Sequence, residues 1–165
     1  MERSQPFLLR CTHGRLALEL RLLPAGQDWQ LLLTGGDAHI GAVILAEPAN
    51  AMPPDVPEAM SARTAGGRSR PGVMSDTASS GTEDGVRLHV LRRTGHHDDK
   101  AALPLARDYC RELKATVCVS AGIHYDHISR EEIDTVLALA RMLGACGLRR
   151  LRRLQENDHA DSERS

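Results

Sequence analysis

The sequence has few aromatic residues and no excess of charge of either sign. Only four aromatic side chains occur in 165 residues, too few for the stacked rings on which single-stranded nucleic acids bind. The 21 lysines and arginines are balanced by 22 aspartates and glutamates, so the formal net charge is −1. A chain with this balance does not bind nucleic acid through bulk charge. We therefore expect no nucleic-acid partner.

Long apolar runs and paired cysteines are missing as well. No stretch approaches the roughly 18 to 20 apolar residues that span a bilayer, and residues 1–10 lack the apolar segment of a signal peptide. The four cysteines, at positions 11, 110, 118 and 146, form no Cys-x-x-Cys pair, which argues against structural zinc and disulfide frameworks. These absences predict a reduced, cytoplasmic protein with no membrane partner.

The signatures of several common enzyme folds are also absent. The sequence contains no Gly-x-Gly-x-x-Gly motif, no P-loop lysine and no Gly-x-Ser-x-Gly motif. A dinucleotide-binding fold, a nucleotide-triphosphate fold and a serine hydrolase are therefore not indicated.

Residues 47–84 differ in composition from the chain on either side. They contain five prolines, several glycines and serines, and only Val56 and Val73 as branched aliphatic residues. Such a segment buries too little apolar surface to offset the entropy of ordering it, and the roughly 46 residues before it are too few for a stable domain. The sequence predicts one domain over residues 5–155, interrupted by a flexible insert at 47–84 and followed by a disordered tail at 156–165.

Before this insert the hydrophobic pattern predicts strands. In Arg15–Leu23 leucine alternates with other residues at a period of two, which is typical of a half-buried strand. Three further short apolar runs are Phe7–Thr12, Trp29–Leu33 and Ile40–Ala46. The short connections between these four strands favour an antiparallel meander.

After the insert the pattern alternates between strands and helices. Val86–Leu91 and Ala115–Ser120 are strand-like, and a helical pattern follows each of them. Ser129 and Glu132 form a capping box at the start of the second helix. This order implies one parallel crossover. The predicted class is α+β, with a single mixed, mostly antiparallel sheet and two helices on one face.

Five of the eight histidines fall in three glycine-containing loop clusters, each at the end of a predicted strand. The clusters are residues 35–41, 95–99 and 122–127. Two of them lead into helix N-termini, whose free N–H groups favour an anion such as phosphate. Polar loops that meet at one end of a sheet commonly bind ligands. The recurrence of the pattern predicts a ligand site at this end of the sheet.

The cluster residues also have other interpretations. Asp98 and Asp99 favour the first turn of a helix, and Asp126 favours a turn. His124 and His127 are competent metal ligands, but no glutamate accompanies them as in the helical His-Glu-x-x-His motif. The residues alone leave open a small-ligand binder, a metal-dependent enzyme that uses the His/Asp clusters, and an assembly module without a ligand.

Three segments resemble the LpdD-like proteins that are associated with UbiD-type decarboxylases. The segments are GGDAHIGAVILAEP (35–48), TGHHDD (94–99) and KATVCVSAGIHYDHISREEI (114–133). The resemblance covers about residues 30–46 and 86–150 and does not extend to the insert. His97 stands where the family usually has lysine, so a role that needs that lysine's charge does not carry over.

The resemblance implies a cofactor chaperone and not an enzyme, with no catalytic residue and no assigned metal ligand. The family looks like a set of carriers that load reduced prenylated FMN into an apo-decarboxylase, with a dimeric fold similar to proteasome assembly chaperones. We therefore expect a homodimer with a UbiD-type decarboxylase as partner. The cofactor site implied is Asp37, His39, Gly41, His96, Asp98, Asp99, Gly122, His124 and Asp126. In it the aspartates would hydrogen-bond flavin N–H groups or ribityl hydroxyls, or hold a bridging divalent cation.

Overall fold

The computed structural model describes residues 5–49 and 78–162. Seven strands and two helices lie in these ranges. In chain order they are β1 (Phe7–His13), β2 (Leu16–Ala25), β3 (Asp28–Gly36), β4 (Ala42–Pro48), β5 (Ala78–Glu83), β6 (Val86–Arg92), α1 (Asp99–Leu113), β7 (Val117–His124) and α2 (Arg130–Ser162). The predicted α+β class with a single mixed sheet is confirmed.

The described strands form one sheet in the order β1-β2-β3-β7-β4-β6-β5. The central strand β7 is parallel to β3 and antiparallel to β4, and every other pair is antiparallel. The predicted four-strand meander is therefore wrong after β3, because β7 separates β3 from β4. The connection 37–41 crosses the end of β7, where the N–H of Gly41 donates to the carbonyl of Ala121 at 2.9 Å. Pairing on both edges satisfies the backbone of the apolar strand β7.

The boundaries predicted for the insert are too wide on both sides. Glu47 and Pro48 complete β4, and β5 occupies Ala78–Glu83. A tight turn at Asp84 and Gly85, with φ angles of 48° and 75°, joins β5 to β6. Asp-Gly is a strong hairpin signal, but in β5 only Thr82 is of a residue type enriched in strands. Residues 50–77, the remainder of the predicted insert, lie outside the described residues.

Both helices cover the same face of the sheet. The inward leucines of β2, predicted from their period of two, are buried on the α2 side, and Val117 and Val119 of β7 are buried on the α1 side. Between the helices, the hydroxyl of Tyr109 donates to the carbonyl of Gly144 at 3.0 Å. Burial raises the pKa of Tyr109, so this phenol stays a donor at all ordinary pH values.

The second helix is longer than predicted. It extends to Ser162, so residues 156–162 of the predicted disordered tail are helical, and residues 163–165 lie outside the described residues. After Gly147 the helix contains neither glycine nor proline, and residues 148–154 are all arginine or leucine, which propagate a helix well. Among the described residues, no helix has both the length and the apolarity of a membrane span.

Candidate functional site

The three histidine-containing loops meet at one end of the sheet. Strands β3 and β7 end side by side, and the connection 37–41 passes over the end of β7. The carbonyl of Gly41 then accepts the N–H of Arg93, which precedes α1, at 2.9 Å. Backbone hydrogen bonds therefore bring together loops that are far apart in sequence.

His39, His96 and Asp98 form a close polar cluster within this end of the sheet. His39 Nε2 lies 2.9 Å from His96 Nδ1. Asp98 Oδ2 lies 3.7 Å from His39 Nε2 and 3.5 Å from His96 Nδ1. Asp98 is only 8% exposed, so its carboxylate acts in a poorly solvated environment.

Backbone groups orient the members of this cluster. His39 Nδ1 lies 3.1 Å from the carbonyl oxygen of Asp37. A carbonyl only accepts, so this geometry assigns the ring proton to Nδ1 and leaves a lone pair on Nε2 of the neutral imidazole. The N–H of Ile123 donates to Asp98 Oδ1 at 2.8 Å. The other carboxylate oxygen, Oδ2, is thereby directed toward the two histidines.

Two glycines allow the loops to approach so closely. A Cβ atom at Gly41 would overlap Asp98 Oδ2, and one at Gly122 would overlap the carbonyl oxygen of His39. Both glycines are buried. They therefore contribute space to the site and supply no side-chain ligand.

A cavity of about 330 Å³ opens beside the cluster. The side of the cavity formed by α2 is apolar, while the side formed by the start of α1 and the end of β7 carries the polar residues together with some apolar ones. The polar lining is His96, His97, Asp98, Lys100 and His124, and the apolar lining is Ala101, Ile123, Tyr125, Ile128, Ile133, Val136 and Leu137. The volume is at the lower end of the range for ligand pockets, about 300–1,000 Å³. Such a lining suits a molecule with one apolar part and one polar or charged part.

A scan against protein-family models matches residues 12–69 and 65–152 to the prenylated flavin chaperone LpdD-like domain. The chain belongs to this family. The matched ranges contain all three histidine-containing loops, and they confirm the resemblance seen in the sequence. A search of curated proteins finds no match. The family is one of chaperones that handle prenylated flavin.

The nine predicted site residues of this LpdD-like protein have different positions around the cavity. His96, Asp98 and His124 line it. His39 and Gly41 lie next to Asp98 and are not in the cavity lining. The backbones of Asp37 and Gly122 lie against His39. The use of these residues by a ligand stays a prediction.

Asp99 and Asp126 are not in the cavity lining. Asp99 Oδ2 lies 3.4 Å from Arg92 Nη1, and its Oδ1 is buried without a hydrogen-bond partner among the described residues. Asp126 is exposed and its Oδ1 lies 3.3 Å from His124 Nε2. His127 has a left-handed φ of 53°, and no three-ligand cluster of the described residues contains it or His124. The sequence suggested His124 and His127 as a pair of metal ligands. The structure instead brings His39 and His96 together.

A clamp by Arg15, which the sequence pattern does not predict, holds the loop before α2. Arg15, in the turn between β1 and β2, donates from Nε and Nη2 to the two oxygens of Glu132 at 2.7 and 2.8 Å. It also donates from Nη1 to the carbonyl of Asp126 at 3.1 Å. Hydrogen bonds from Arg15 and then Ser129 lower the pKa of Glu132 from 4.5 to about 2. No local pattern could reveal a pair so distant in sequence.

The apolar wall of the cavity was also missed as part of the site. Ile128 and Ile133 occupy the hydrophobic-staple positions around the start of α2. Val136 and Leu137 belong to the apolar stripe of the same helix, which the sequence assigns to the core. Ile133 nevertheless remains 43% exposed. This exposure is visible in the structure alone, because the spacing of these residues in the sequence is the same as that of core residues.

Proposed function

We propose that this LpdD-like protein is a cytoplasmic carrier that binds reduced prenylated FMN and delivers it to an apo-decarboxylase of the UbiD type. The family description supports a chaperone of prenylated flavin. The reduced state of the flavin and the identity of the partner belong to the proposal. The observation that carries it is the two-sided lining of the cavity beside α1 and α2.

The chemistry of the lining fits that of a prenylated flavin mononucleotide. Ile128, Ile133 and Val136 offer an apolar surface to the ring system and its prenyl group. Lys100 and the N-terminal end of α1 place positive charge at the other side, which favours a phosphate and acts against the negative charge of Asp98 and Asp99.

The small volume of the cavity supports a carrier that releases its cargo. A space of about 330 Å³ accommodates part of such a cofactor and leaves the rest outside. An exposed part gives a second protein something to bind before release. An enzyme that must exclude water from its reaction needs fuller enclosure.

Anaerobic titration with reduced prenylated FMN tests the proposal, with reduced FMN as the comparison ligand. We expect stoichiometric binding of the prenylated form and much weaker binding of plain FMN. Ile133→Glu should weaken binding about tenfold or more, because it replaces apolar wall by charge. Met142→Glu is the matched control, since Met142 is on the same helix, is 48% exposed and does not line the cavity.

The outcomes separate the carrier from its alternatives. Equal affinities of Ile133→Glu and the wild type would place the ligand elsewhere. If neither flavin bound to the wild type, the carrier function would be wrong and an assembly module without a ligand would be favoured. Transfer is then tested by adding the loaded protein to a purified apo-decarboxylase and measuring the flavin that the enzyme acquires.

We also propose that the protein is a homodimer that buries the helix-free face of its sheet. Val43 and Leu91 pair across β4 and β6, and Leu45 lies on the same face. Leu91 is 56% exposed and Leu45 is 36% exposed, and exposed apolar groups on one sheet face favour association. Light scattering during size exclusion should give twice the chain mass. Leu91→Lys should shift the protein to monomer, and an unchanged mass would overturn this interface.

A further inference from the structure

We propose that His39, His96 and Asp98 form a binding site for one divalent transition-metal ion, with zinc as the best-fitting example. The ligand atoms are His39 Nε2, His96 Nδ1 and Asp98 Oδ2, which lie within 4.8 Å of one another. Two imidazole nitrogens and one carboxylate oxygen are a common donor set for such ions.

The spacing of the three donor atoms matches a tetrahedral site. Their separations are 2.9, 3.5 and 3.7 Å. Ligands placed about 2.0–2.1 Å from a zinc ion at tetrahedral angles are about 3.3–3.4 Å apart. The observed separations lie on both sides of that value, so small side-chain rotations suffice to surround an ion.

Hydrogen bonds hold two of the three ligands, His39 and Asp98, in the form that a metal needs. The His39 ring proton is on Nδ1, facing the Asp37 carbonyl, so Nε2 has a free lone pair. Asp98 Oδ1 accepts from the N–H of Ile123, which directs Oδ2 to the histidines. Metal-binding histidines and carboxylates are typically oriented by such outer hydrogen bonds. These two ligands are therefore organised before any ion binds, whereas His96 donates from Nδ1 to His39 Nε2 and binds an ion as the tautomer with its ring proton on Nε2.

The fourth position of the ion would face the cavity, because His96 and Asp98 both line it. A water molecule or a phosphate oxygen suits that position. An ion there would also offset the negative charge of Asp98 and Asp99, which otherwise opposes an anion near the start of α1. The metal site itself does not depend on the proposed flavin function.

Metal titration of the full-length protein, purified without a histidine tag and stripped with a chelator, tests this site. Zn²⁺ is followed by calorimetry, and Co²⁺ is followed by its visible absorption, which reports coordination geometry. We expect one equivalent of each ion and a tetrahedral Co²⁺ spectrum. His96→Ala and Asp98→Asn should each weaken Zn²⁺ binding at least about 100-fold, since they remove a direct ligand.

His13→Ala is the control, because His13 is exposed and belongs neither to the ligand cluster nor to the cavity lining. Its Zn²⁺ affinity should equal that of the wild type. Circular dichroism shows which variants are folded, and the nearly isosteric Asp98→Asn serves if His96→Ala is not. An equal loss in His13→Ala, or no loss in the folded ligand variants, would overturn the site. No flavin is present, so the result is independent of the flavin titration.

Discussion

The two helices of this protein begin in opposite ways. At α2, Ser129 Oγ accepts the N–H of Glu132 at 3.1 Å and Glu132 Oε2 accepts the N–H of Ser129 at 2.9 Å. At α1, Asp98 occupies the N-cap position but its side chain makes no capping hydrogen bond. Its carboxylate accepts from Ile123 and faces His39 and His96 instead.

At α2 the N-cap side chain stabilises the helix, whereas at α1 the N-cap side chain belongs to the histidine cluster. Aspartate is among the best N-cap residues, and a capping side chain contributes about 0.5–2 kcal/mol to stability. Asp98 does not make that contribution, because its carboxylate is directed to the histidine cluster. Deviations from local rules of this kind concentrate at functional sites. The capping pair Ser129 and Glu132 at the start of α2 follows the local rules, and we expect these two residues to affect stability and not ligand binding.

Gly41→Ala should reduce stability most among these variants, because it disturbs the contact between Asp98 and the two histidines at the start of α1. The added Cβ would overlap Asp98 Oδ2 and displace the carboxylate from the histidines. We expect a loss of about 1–3 kcal/mol in the free energy of unfolding, as for other overpacked buried sites. Urea denaturation measures this loss, and Zn²⁺ titration should show weakened binding in the same variant.

Gly81→Ala provides the control for this substitution. Nothing lies within 4 Å of a Cβ at Gly81, which is in β5. The control should retain wild-type stability and metal affinity. If the two variants were equally stable, the close approach of Gly41 and Asp98 would be wrong.

Ser129→Ala should have an intermediate effect, confined to stability. It removes the acceptor for the N–H of Glu132 and should cost about 1 kcal/mol in the free energy of unfolding. Its affinities for Zn²⁺ and prenylated flavin should equal those of the wild type. A loss of metal affinity as large as that of Asp98→Asn would contradict the separation between the two helix starts.

Glu132→Gln should have the smallest effect, and that effect should depend on pH. Glutamine keeps the capping hydrogen bond but loses the ion pair with Arg15. The pKa of Glu132 is lowered to about 2 in the folded protein from 4.5, so its charge stabilises the fold above pH 4.5. That stabilisation declines as the pH falls from 4.5 toward 2.

The measurement for this variant is a series of urea midpoints from neutral pH to about pH 2.5. The wild type should be slightly more stable at neutral pH, and the two curves should converge in acid. Added salt should also reduce the difference, because the pair is near the surface. A difference that grew in acid would show that Arg15 does not stabilise the ionised form.

The local elements of the fold could be read from the sequence, while the strand order could not. The leucine alternation of β2 and the capping box of α2 depend on neighbours within a few residues. The position of β7 between β3 and β4 depends on pairing across most of the chain, which no local pattern encodes. β5 was missed although Asp84 and Gly85 form the hairpin turn that marks it.

The sequence predicts which loops form the candidate site, but it does not predict which of their side chains contact one another. Glycines and histidines recurring after strands indicated which loops meet. The pairing of His39 with His96, and the clamp by Arg15, arise from tertiary contacts between separate elements. The apolar wall was hidden because Val136 and Leu137 have the same spacing as core residues.

The central place of β7 determines when the sheet can be completed. Trp29 pairs with Val117 and Ile44 with Val119, so β7 alone connects β3 to β4. During synthesis β1–β3 and β4–β6 emerge first, and the edges of β3 and β4 remain open to wrong partners. Pairing at such sequence separation is slow. Because β7 also provides the Ile123 N–H that orients Asp98, the sheet closes and the metal ligands are aligned in the same folding step.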